Sequence, residues 1–276
     1  MNPAGAPLFD SHVHLDDPDV AEGAIAGRLV AEAAAAGVVG LFSAGYGPER
    51  EVDAARLPAA SAPVWRAVGL HPWWLARARD DDAREAGLAW LRTVAIGPDV
   101  RAIGEIGLDA TRRDVLGADA QRTWFERSLH IARERKLPVV LHVVRWHGHA
   151  LASLGRVRTV GGVVHRFGGP PDVVHGYVRA GLHLSMATDW LRRPEKAAAV
   201  ARAIPADRLV VETDWPLDDR PYAAAAAELA ELVTQIARWR GEDEAELRAQ
   251  LLANTLALYR IDAGAAQLMP AKAIVA

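Results

Sequence analysis

Eight short apolar runs recur at nearly even intervals along the 276-residue chain, and this recurrence constrains the fold more than any other feature. The runs are rich in Val, Ile and Leu, and stretches of helical period lie between them. They end near residues 14, 44, 71, 105, 142, 165, 185 and 214, which are about 29 residues apart on average. One strand and one helix fit in each interval, so the sequence predicts an α/β fold, a (β/α)8 TIM barrel.

The chain continues beyond the eighth predicted strand with two further stretches of helical period. Residues 221–241 predict the eighth barrel helix, and residues 243–261 predict one extra C-terminal helix. No linker, low-complexity block or shift in composition divides the chain. We therefore expect a single domain over residues 1–276, with its core at about 8–260.

Composition excludes several classes of protein. The absence of cysteine excludes disulfides, thiolate ligands and a cysteine nucleophile. A formal net charge of −3 argues against a strongly basic nucleic-acid module, although bound divalent metals would make an acidic site locally positive. The sequence contains no run of about 18 apolar residues, no signal-peptide pattern, no P-loop and no nucleophile elbow. It predicts a cytoplasmic protein with no membrane partner.

Residues that commonly bind metals occupy the ends of the predicted strands. His12 and His14 alternate along the first strand, so both side chains point to one face. A His-x-His pair alone is more often a hydrogen-bonded pair, and a lone aspartate at a strand end is commonly a helix cap. Here, however, further ligand-type residues end other strands: His71, Glu105, His142, His165 and Asp214. Burying so many polar groups together is costly unless cations lie between them, so the pattern predicts a site for two divalent metals.

The segments HVHLD, GEIGLD, LPVVLH, VVHRFGG and ETDWP, in that order, resemble the TatD family of metal-dependent deoxyribonucleases. These enzymes belong to the broader amidohydrolase-like barrels. The likeness runs from residue 8 to about 260. Glu105 discriminates between families, because several sister families place a carbamylated lysine on the fourth strand instead.

The resemblance implies a ligand set for two metal ions. His12, His14 and Asp214 would hold one ion, His142 and His165 would hold the other, and Glu105 would bridge both. Such nitrogen and oxygen ligands suit Zn, Mn, Ni or Co, and they do not exclude Mg.

The resemblance also implies catalytic roles. A metal-activated water would attack the substrate, with Asp214 as the general base and Glu105 as part of the catalytic centre. His71 would be a donor on the phosphate side or a general acid, and a neutral structural histidine is its alternative.

Several positions depart from the family pattern, and these leave the substrate-binding residues open. We expect His71, Arg145, Arg166 and Trp215 to contact substrate. Arg166 has a salt bridge to a neighbouring helix as its alternative role, and His147 and His149 are either extra ligands or solvated residues at a helix start. Tryptophans follow several predicted strands and are either stacking platforms for bases or packing residues between loops: Trp73, Trp74, Trp146, Trp190 and Trp215.

Three hypotheses for the function follow. The first is a metal-dependent phosphodiesterase that cleaves DNA, as a monomeric 3'-5' exonuclease acting on single strands. The second is a hydrolase with the same metal site that cleaves an amide, ester or lactone bond, or a D-aminoacyl-tRNA deacylase. The departures from the family pattern motivate this hypothesis. The third is a non-enzymatic partner subunit, against which the complete ligand set argues.

Overall fold

All eight predicted strands are present in the computed structural model, which describes residues 6–17, 23–50, 63–97, 99–216 and 220–266. They are parallel where their pairing is defined, and they lie side by side in chain order in one eight-stranded sheet. The strands are β1 (Leu8–Val13), β2 (Val38–Ser43), β3 (Val64–Val68), β4 (Val100–Asp109), β5 (Val139–Val144), β6 (Gly162–Val164), β7 (Leu182–Ala187) and β8 (Leu209–Glu212).

Helices connect successive strands, as the alternating pattern predicts. They are α1 (Gly23–Ala35), α2 (Pro72–Arg77), α3 (Asp81–Val94), α4 (Ala118–Arg135), α5 (His147–Arg156), α6 (Val174–Arg179), α7 (Pro194–Ala203), α8 (Tyr222–Arg240), α9 (Glu244–Tyr259) and α10 (Ala263–Ala266). The expected helix between β2 and β3 falls largely on residues 51–62, outside the described residues. Over the described ranges, every helix is too short or too polar to cross a membrane.

The chain falls into two compact units. One unit, called here the β1–β8 unit, is built from residues 1–43, 52–65 and 186–276. The other, called the β4–β6 unit, is built from residues 44–51 and 66–185. Each unit contributes strands whose carboxyl ends carry ligand-type residues, and each is described separately.

In the β1–β8 unit, the first strand lies between β2 and the last strand. Leu8 pairs with Val38 on one side. On the other side, the Asp214 amide donates to the His12 carbonyl at 3.0 Å, and the His14 amide donates to the Trp215 carbonyl at 2.7 Å. The backbone therefore holds the end of β1 directly against the segment that follows β8.

The extra C-terminal helix α9 closes one side of this unit. Tyr259, fully buried, stacks on Phe42 and donates its hydroxyl hydrogen to the Ser11 carbonyl at 3.1 Å. Asn254, also buried, donates from Nδ2 to the carbonyls of Ala206 and Leu209, each at 2.7 Å. These contacts fix α9 against the start of β8 and the middle of β1.

Replacing Asn254 with alanine is expected to lower the free energy of unfolding by about 2–3 kcal/mol, because two carbonyls lose a buried donor. Gln250→Ala is the matched control, since its exposed side chain contacts Asn254 but neither carbonyl. Chemical denaturation measures the free energy of unfolding of both variants. Equal stability of the two variants would contradict the assigned role of Asn254.

In the β4–β6 unit, β4 pairs with β3 on one side and with β5 on the other. The strands approach too closely at two glycines for any larger residue. A Cβ atom on Gly107, whose φ is +153°, would lie 1.9 Å from the His142 carbonyl oxygen, and one on Gly69 would lie 2.4 Å from the Glu105 carbonyl oxygen. Glycine at both positions is therefore a steric requirement of the packing.

Candidate metal centre

Three side chains converge at the carboxyl ends of β1 and β8 and form what we call the first cluster: His12, His14 and Asp214. Nε2 of His12 and Nε2 of His14 are 3.4 Å apart, and they lie 3.6 Å and 3.4 Å from Oδ1 of Asp214. Ligands bound to zinc at 2.0–2.1 Å in a tetrahedron are separated by about 3.4 Å. The three atoms are therefore spaced as the ligands of one ion would be.

The backbone positions this cluster. His12 and His14 share a face because strand side chains alternate. Asp214 lies two residues beyond β8 and has a φ of +56°, in the left-handed region that aspartate tolerates better than most residues. The turn directs its carboxylate toward the two imidazoles.

Asp10 supports the cluster through the backbone. Its carboxylate accepts from the backbone amides of His12 and Thr213, from the Thr213 hydroxyl at 2.6 Å and from the Tyr222 hydroxyl at 2.9 Å. Burial raises the pKa of Asp10 to about 7, although these hydrogen bonds oppose the rise.

Asp16 is the carboxylate that lies beside an imidazole of the first cluster. Its Oδ1 is 3.4 Å from Nδ1 of His14, and its side chain is buried. A carboxylate next to the second ring nitrogen of a ligand histidine favours the tautomer that leaves Nε2 available to a metal. Asp16 lies beyond the end of the first strand, so the alternation of strand side chains gives no signal for this contact.

A second cluster lies in the β4–β6 unit and consists of Glu105, His142 and His165. Oε2 of Glu105 is 2.6 Å from Nε2 of His165 and 3.3 Å from Nδ1 of His142, and these two nitrogens are 3.2 Å apart. Glu105 and His165 are almost fully buried. Glu105 lies in the middle of β4 and not at its end, because the strand continues to Asp109.

Asp109 contacts His142, and the sequence reasoning did not assign it to the site. Its Oδ2 accepts from Nε2 of His142 at 3.1 Å and from the Trp73 indole at 2.6 Å, while Oδ1 accepts from Thr111. Burial acts to raise the pKa of Asp109, but the hydrogen bonds from His142, Thr111 and Trp73 lower it well below its usual range. The proton therefore stays on Nε2, and Nδ1 of His142 faces Glu105.

His71 lies next to the second cluster rather than within a strand, because β3 ends at Val68. Its Nδ1 accepts from the Trp73 amide at 3.0 Å and caps the start of α2. An accepting Nδ1 carries no proton, so the proton of the neutral ring is on Nε2, which lies 3.7 Å from Oε2 of Glu105. His71 thus serves the fold as a cap and presents an N–H group to the cluster.

The donor sets of both clusters fit divalent metals. The first offers two imidazole nitrogens and one carboxylate oxygen, and the second offers the same combination. Zn, Mn, Ni and Co accept such sets, and the nitrogen content makes the sites less suited to Ca. His71, Glu105 and His142 also bring one ligand atom each within 4.8 Å of one another.

The two arginines expected to contact substrate lie at turns after strands. Arg145 follows β5 with a φ of +67°, and Arg166 follows β6 with a φ of +41°. Both side chains are exposed. Trp215, the third such residue, is half-buried and donates from its indole to the Arg220 carbonyl at 2.9 Å. Their contact with substrate stays a prediction.

His147 begins α5, as expected for a residue at a helix start, but it is buried rather than solvated. It is buried at the start of α5, its Nδ1 lies 2.9 Å from the Tyr177 hydroxyl, and its ring packs on Phe167. Burial lowers the pKa of His147. His149 is exposed and contacts the edge of Trp146, as expected for a residue at a helix start.

The tryptophans after the strands differ in how deeply they are buried. Trp74 and Trp190 are buried, as packing residues are. Trp73 is half-buried, and its ring stacks against the guanidinium of Arg112 at 4.3 Å. Trp73 therefore combines a hydrogen bond to Asp109 with a partly accessible aromatic surface.

Comparison with known proteins shows the family of the chain. The family model described as TatD related DNase matches residues 9–260. The chain belongs to the TatD-related DNase family. Two similar proteins are described as the 3'-5' ssDNA/RNA exonuclease TatD, and each aligns with 92% of this chain. The protein from Enterobacter lignolyticus is 33% identical, and the alignment covers 99% of its length. The protein from Pantoea vagans is 32% identical, and the alignment covers 100% of its length.

Solved structures of TatD homologues share the fold. A TatD homologue from Escherichia coli superposes with a TM-score of 0.78 at 27% identity, covering 93% of this chain and 99% of that one. A TatD-family hydrolase from Entamoeba histolytica has a TM-score of 0.75 at 16% identity, with coverage of 94% and 99%, and supports the fold alone. The predicted (β/α)8 barrel, the predicted family and the predicted enzyme class, a metal-dependent hydrolase acting on ester bonds, are confirmed.

Replacing Asp109 with alanine is expected to lower metal affinity or kcat/KM by about 10- to 100-fold, because His142 loses the group that fixes its orientation. Asp109→Asn should lose less, since an amide oxygen still accepts from Nε2. Asp114→Ala, an exposed aspartate five residues along, is the control. Metal titration by calorimetry separates a weaker site from an unfolded one, and unchanged affinity in Asp109→Ala would exclude the role.

Proposed function

We propose that this protein is a two-metal 3'-5' exonuclease that removes nucleotides from single-stranded DNA. The observation that supports it most is the pair of clusters, each with two imidazoles and a carboxylate, in a member of the TatD-related DNase family. The similar proteins from Enterobacter lignolyticus and Pantoea vagans carry the description of 3'-5' exonucleases on single-stranded DNA and RNA.

In this proposal each unit holds one divalent ion. His12, His14 and Asp214 are the ligands in the first cluster, and Glu105, His142 and His165 are the ligands in the second. Bound ions of this kind lower the pKa of a water molecule and neutralise charge on a phosphoryl group. The remaining chemistry is performed by side chains.

Asp214 is the proposed general base. Its Oδ1 faces the two imidazoles of the first cluster. Its other oxygen would accept the proton of the water that attacks the phosphorus atom. The bond from phosphorus to the leaving oxygen then breaks, that oxygen takes a proton from solvent water, and the 3'-terminal nucleotide is released.

His71 is the proposed donor on the phosphate side. Its Nδ1 is engaged by the Trp73 amide, so only the Nε2–H group can bind a phosphate oxygen. A neutral imidazole held this way is a weak acid, and we therefore assign it charge stabilisation rather than protonation of the leaving group. Asp109 and Asp16 would keep His142 and His14 oriented during the reaction.

The test uses oligonucleotides labelled at one end. Protein freed of metal by chelation and then loaded with Mg, Mn, Zn or Co is incubated with 5'-labelled single-stranded DNA. We expect a ladder that shortens from the 3' end, no cleavage without metal, and slower cleavage of a duplex. RNA of the same sequence measures the preference between the two nucleic acids.

Failure to cleave with any of these metals, at a measured occupancy of two ions per chain, would overturn the proposal. Hydrolysis of esters, lactones or D-aminoacyl-tRNA in preference to phosphodiesters would replace it with the second hypothesis. A monomeric, cytoplasmic protein is part of the proposal, and gel filtration together with cell fractionation tests it.

A further inference from the structure

Asp109 is held at its backbone and at both of its carboxylate oxygens. Its amide donates to Oε1 of Gln121 at 2.8 Å, and its carbonyl accepts from Nε2 of the same side chain at 3.0 Å. Gln121 is fully buried on α4. Oδ1 of Asp109 accepts from the Thr111 amide at 2.8 Å and from the Thr111 hydroxyl at 2.6 Å. These contacts fix the backbone and one oxygen, and the other oxygen, Oδ2, accepts from two further donors.

Oδ2 of Asp109 lies between the side chains of Trp73 and His142. The Trp73 indole nitrogen is 2.6 Å from it, and Nε2 of His142 is 3.1 Å from it. A carboxylate oxygen has two lone pairs, so the indole N–H group engages one and the imidazole N–H group engages the other. Hydrogen bonds to a carboxylate are about twice as strong as those between neutral groups. The indole therefore acts on the position of the same oxygen that orients the imidazole.

The Trp73 ring is itself fixed by its neighbours. Its amide donates to Nδ1 of His71 at 3.0 Å in the first turn of α2, where Pro72 occupies the first helical position. The guanidinium of Arg112 lies over the ring, 4.3 Å from its centre. The His71 ring lies edge-on to it at 5.5 Å. The fold thus sets the direction of the indole N–H group.

The contacts continue from Asp109 to the second cluster. The proton of His142 is on Nε2, so Nδ1 carries a lone pair, and it faces Oε2 of Glu105 at 3.3 Å. Nε2 of His165 lies 3.2 Å from the same Nδ1 atom. A rotation of the His142 ring would move Nδ1 away from both of these ligand atoms. The spacing of the second cluster is therefore linked through Asp109 to the Trp73 indole.

We propose that Trp73 is a positioning residue for the metal ion of the second cluster, acting through Asp109 on His142. The inference rests on the proposed function, because it concerns the ion that this cluster would hold. Replacing a group that hydrogen-bonds to a metal ligand commonly lowers metal affinity by about 10- to 100-fold. Trp73 is one contact further from the ion, so we expect a smaller loss, of about 3- to 10-fold. Stacking of Trp73 on a nucleic-acid base would instead change substrate binding and leave metal affinity unaltered.

Trp73→Phe tests this link, because phenylalanine keeps the backbone amide and a ring beneath Arg112 but lacks the indole N–H group. The matched control is Trp74→Phe. Trp74 is the next residue of α2, and its indole donates to Oε2 of Glu49 at 2.7 Å, a carboxylate outside both clusters. Each variant loses one hydrogen bond from an indole to a carboxylate, and only Trp73→Phe loses one that leads to a metal ligand.

Metal affinity is the first measurement, made on the full-length protein by titration with Zn against a chromophoric chelator. We expect two ions per chain in the parent and in both variants. One of the two dissociation constants should rise about 3- to 10-fold in Trp73→Phe, and the other should stay at the parent value. Trp74→Phe should match the parent in both constants. The unchanged constant shows that Trp73→Phe is folded, and circular dichroism melts check this independently.

A double-mutant cycle separates a positioning role from a general effect on the fold. In an Asp109→Ala background the indole has lost its acceptor, so adding Trp73→Phe should change the metal dissociation constants less than about twofold. Kinetics with single-stranded oligothymidylate at saturating metal is the third measurement. In Trp73→Phe we expect kcat to fall about 3- to 10-fold and KM to stay at the parent value.

The outcomes separate this proposal from the proposed function. Parent protein that binds two ions but cleaves no DNA overturns the proposed function, while the dissociation constants still decide the role of Trp73. Equal metal affinities in Trp73→Phe and Trp74→Phe overturn the positioning role alone. A further 3- to 10-fold loss on adding Trp73→Phe to Asp109→Ala, about the same as in the parent background, also overturns it. A higher KM with parental metal affinity overturns it as well and assigns Trp73 to base stacking.

Discussion

Glu105→Gln is expected to reduce kcat by at least about 1,000-fold, which is about 4 kcal/mol of transition-state stabilisation. The glutamine keeps the volume of the side chain but loses its charge. Its amide would replace the carboxylate oxygen that lies 2.6 Å from His165 and 3.3 Å from His142. We also expect at least one metal ion per chain to be lost, which elemental analysis measures alongside the rate.

The control for this variant is Glu134→Gln on α4. Glu134 is half-exposed and pairs with Arg92, and such surface pairs contribute less than about 1 kcal/mol. Its kinetics and metal content should match those of the parent. A Glu105→Gln enzyme with parental rate and two bound ions would refute the assignment of Glu105. Hydrolysis that disappears in this variant also eliminates a non-enzymatic partner subunit.

Asp214→Asn is expected to reduce kcat by about 100- to 1,000-fold, because the asparagine cannot accept the proton of the attacking water and binds a cation more weakly. The fold should survive, since asparagine tolerates the left-handed conformation found at this position. Asp214→Ala should add a loss of about 1 kcal/mol in the free energy of unfolding, which arises from the backbone and not from the chemistry.

Comparison of these two variants separates catalysis from folding. We expect Asp214→Asn and Asp214→Ala to lose activity equally, and only Asp214→Ala to have a lower melting temperature. Asp207→Asn, at an exposed position just before β8, serves as the control. If Asp214→Asn retained parental kcat, another group would have to be the base.

The strands and the ligand-type residues could be read from the sequence because both follow simple rules. Buried parallel strands are short apolar runs, and a polar residue that interrupts such a run is conspicuous, as His142 is within β5. The predicted ends of the strands were less accurate than their number and order. Glu105 lies in mid-strand because β4 continues to Asp109, and His71 lies beyond β3, which ends at Val68.

The residues that support the ligands could not be predicted in the same way. Asp109 reaches His142 from a different strand, and Trp73 reaches Asp109 from a different helix, so no local spacing reports the contact. His147 reads as polar in the sequence and is nevertheless buried, because Tyr177, thirty residues away, supplies its partner.

Gly69, just after β3, and Gly107, in β4, distinguish two kinds of information in the sequence: what the fold requires and what the chemistry requires. Gly69 and Gly107 are required because neighbouring backbones leave no space for a Cβ atom, whatever chemistry the protein performs. A descendant that no longer bound metals would still need both glycines, whereas Glu105 and His142 could be replaced without loss of the fold. The glycine part of GEIGLD therefore identifies the architecture, and only the ligand positions can distinguish a working hydrolase from an inactive copy.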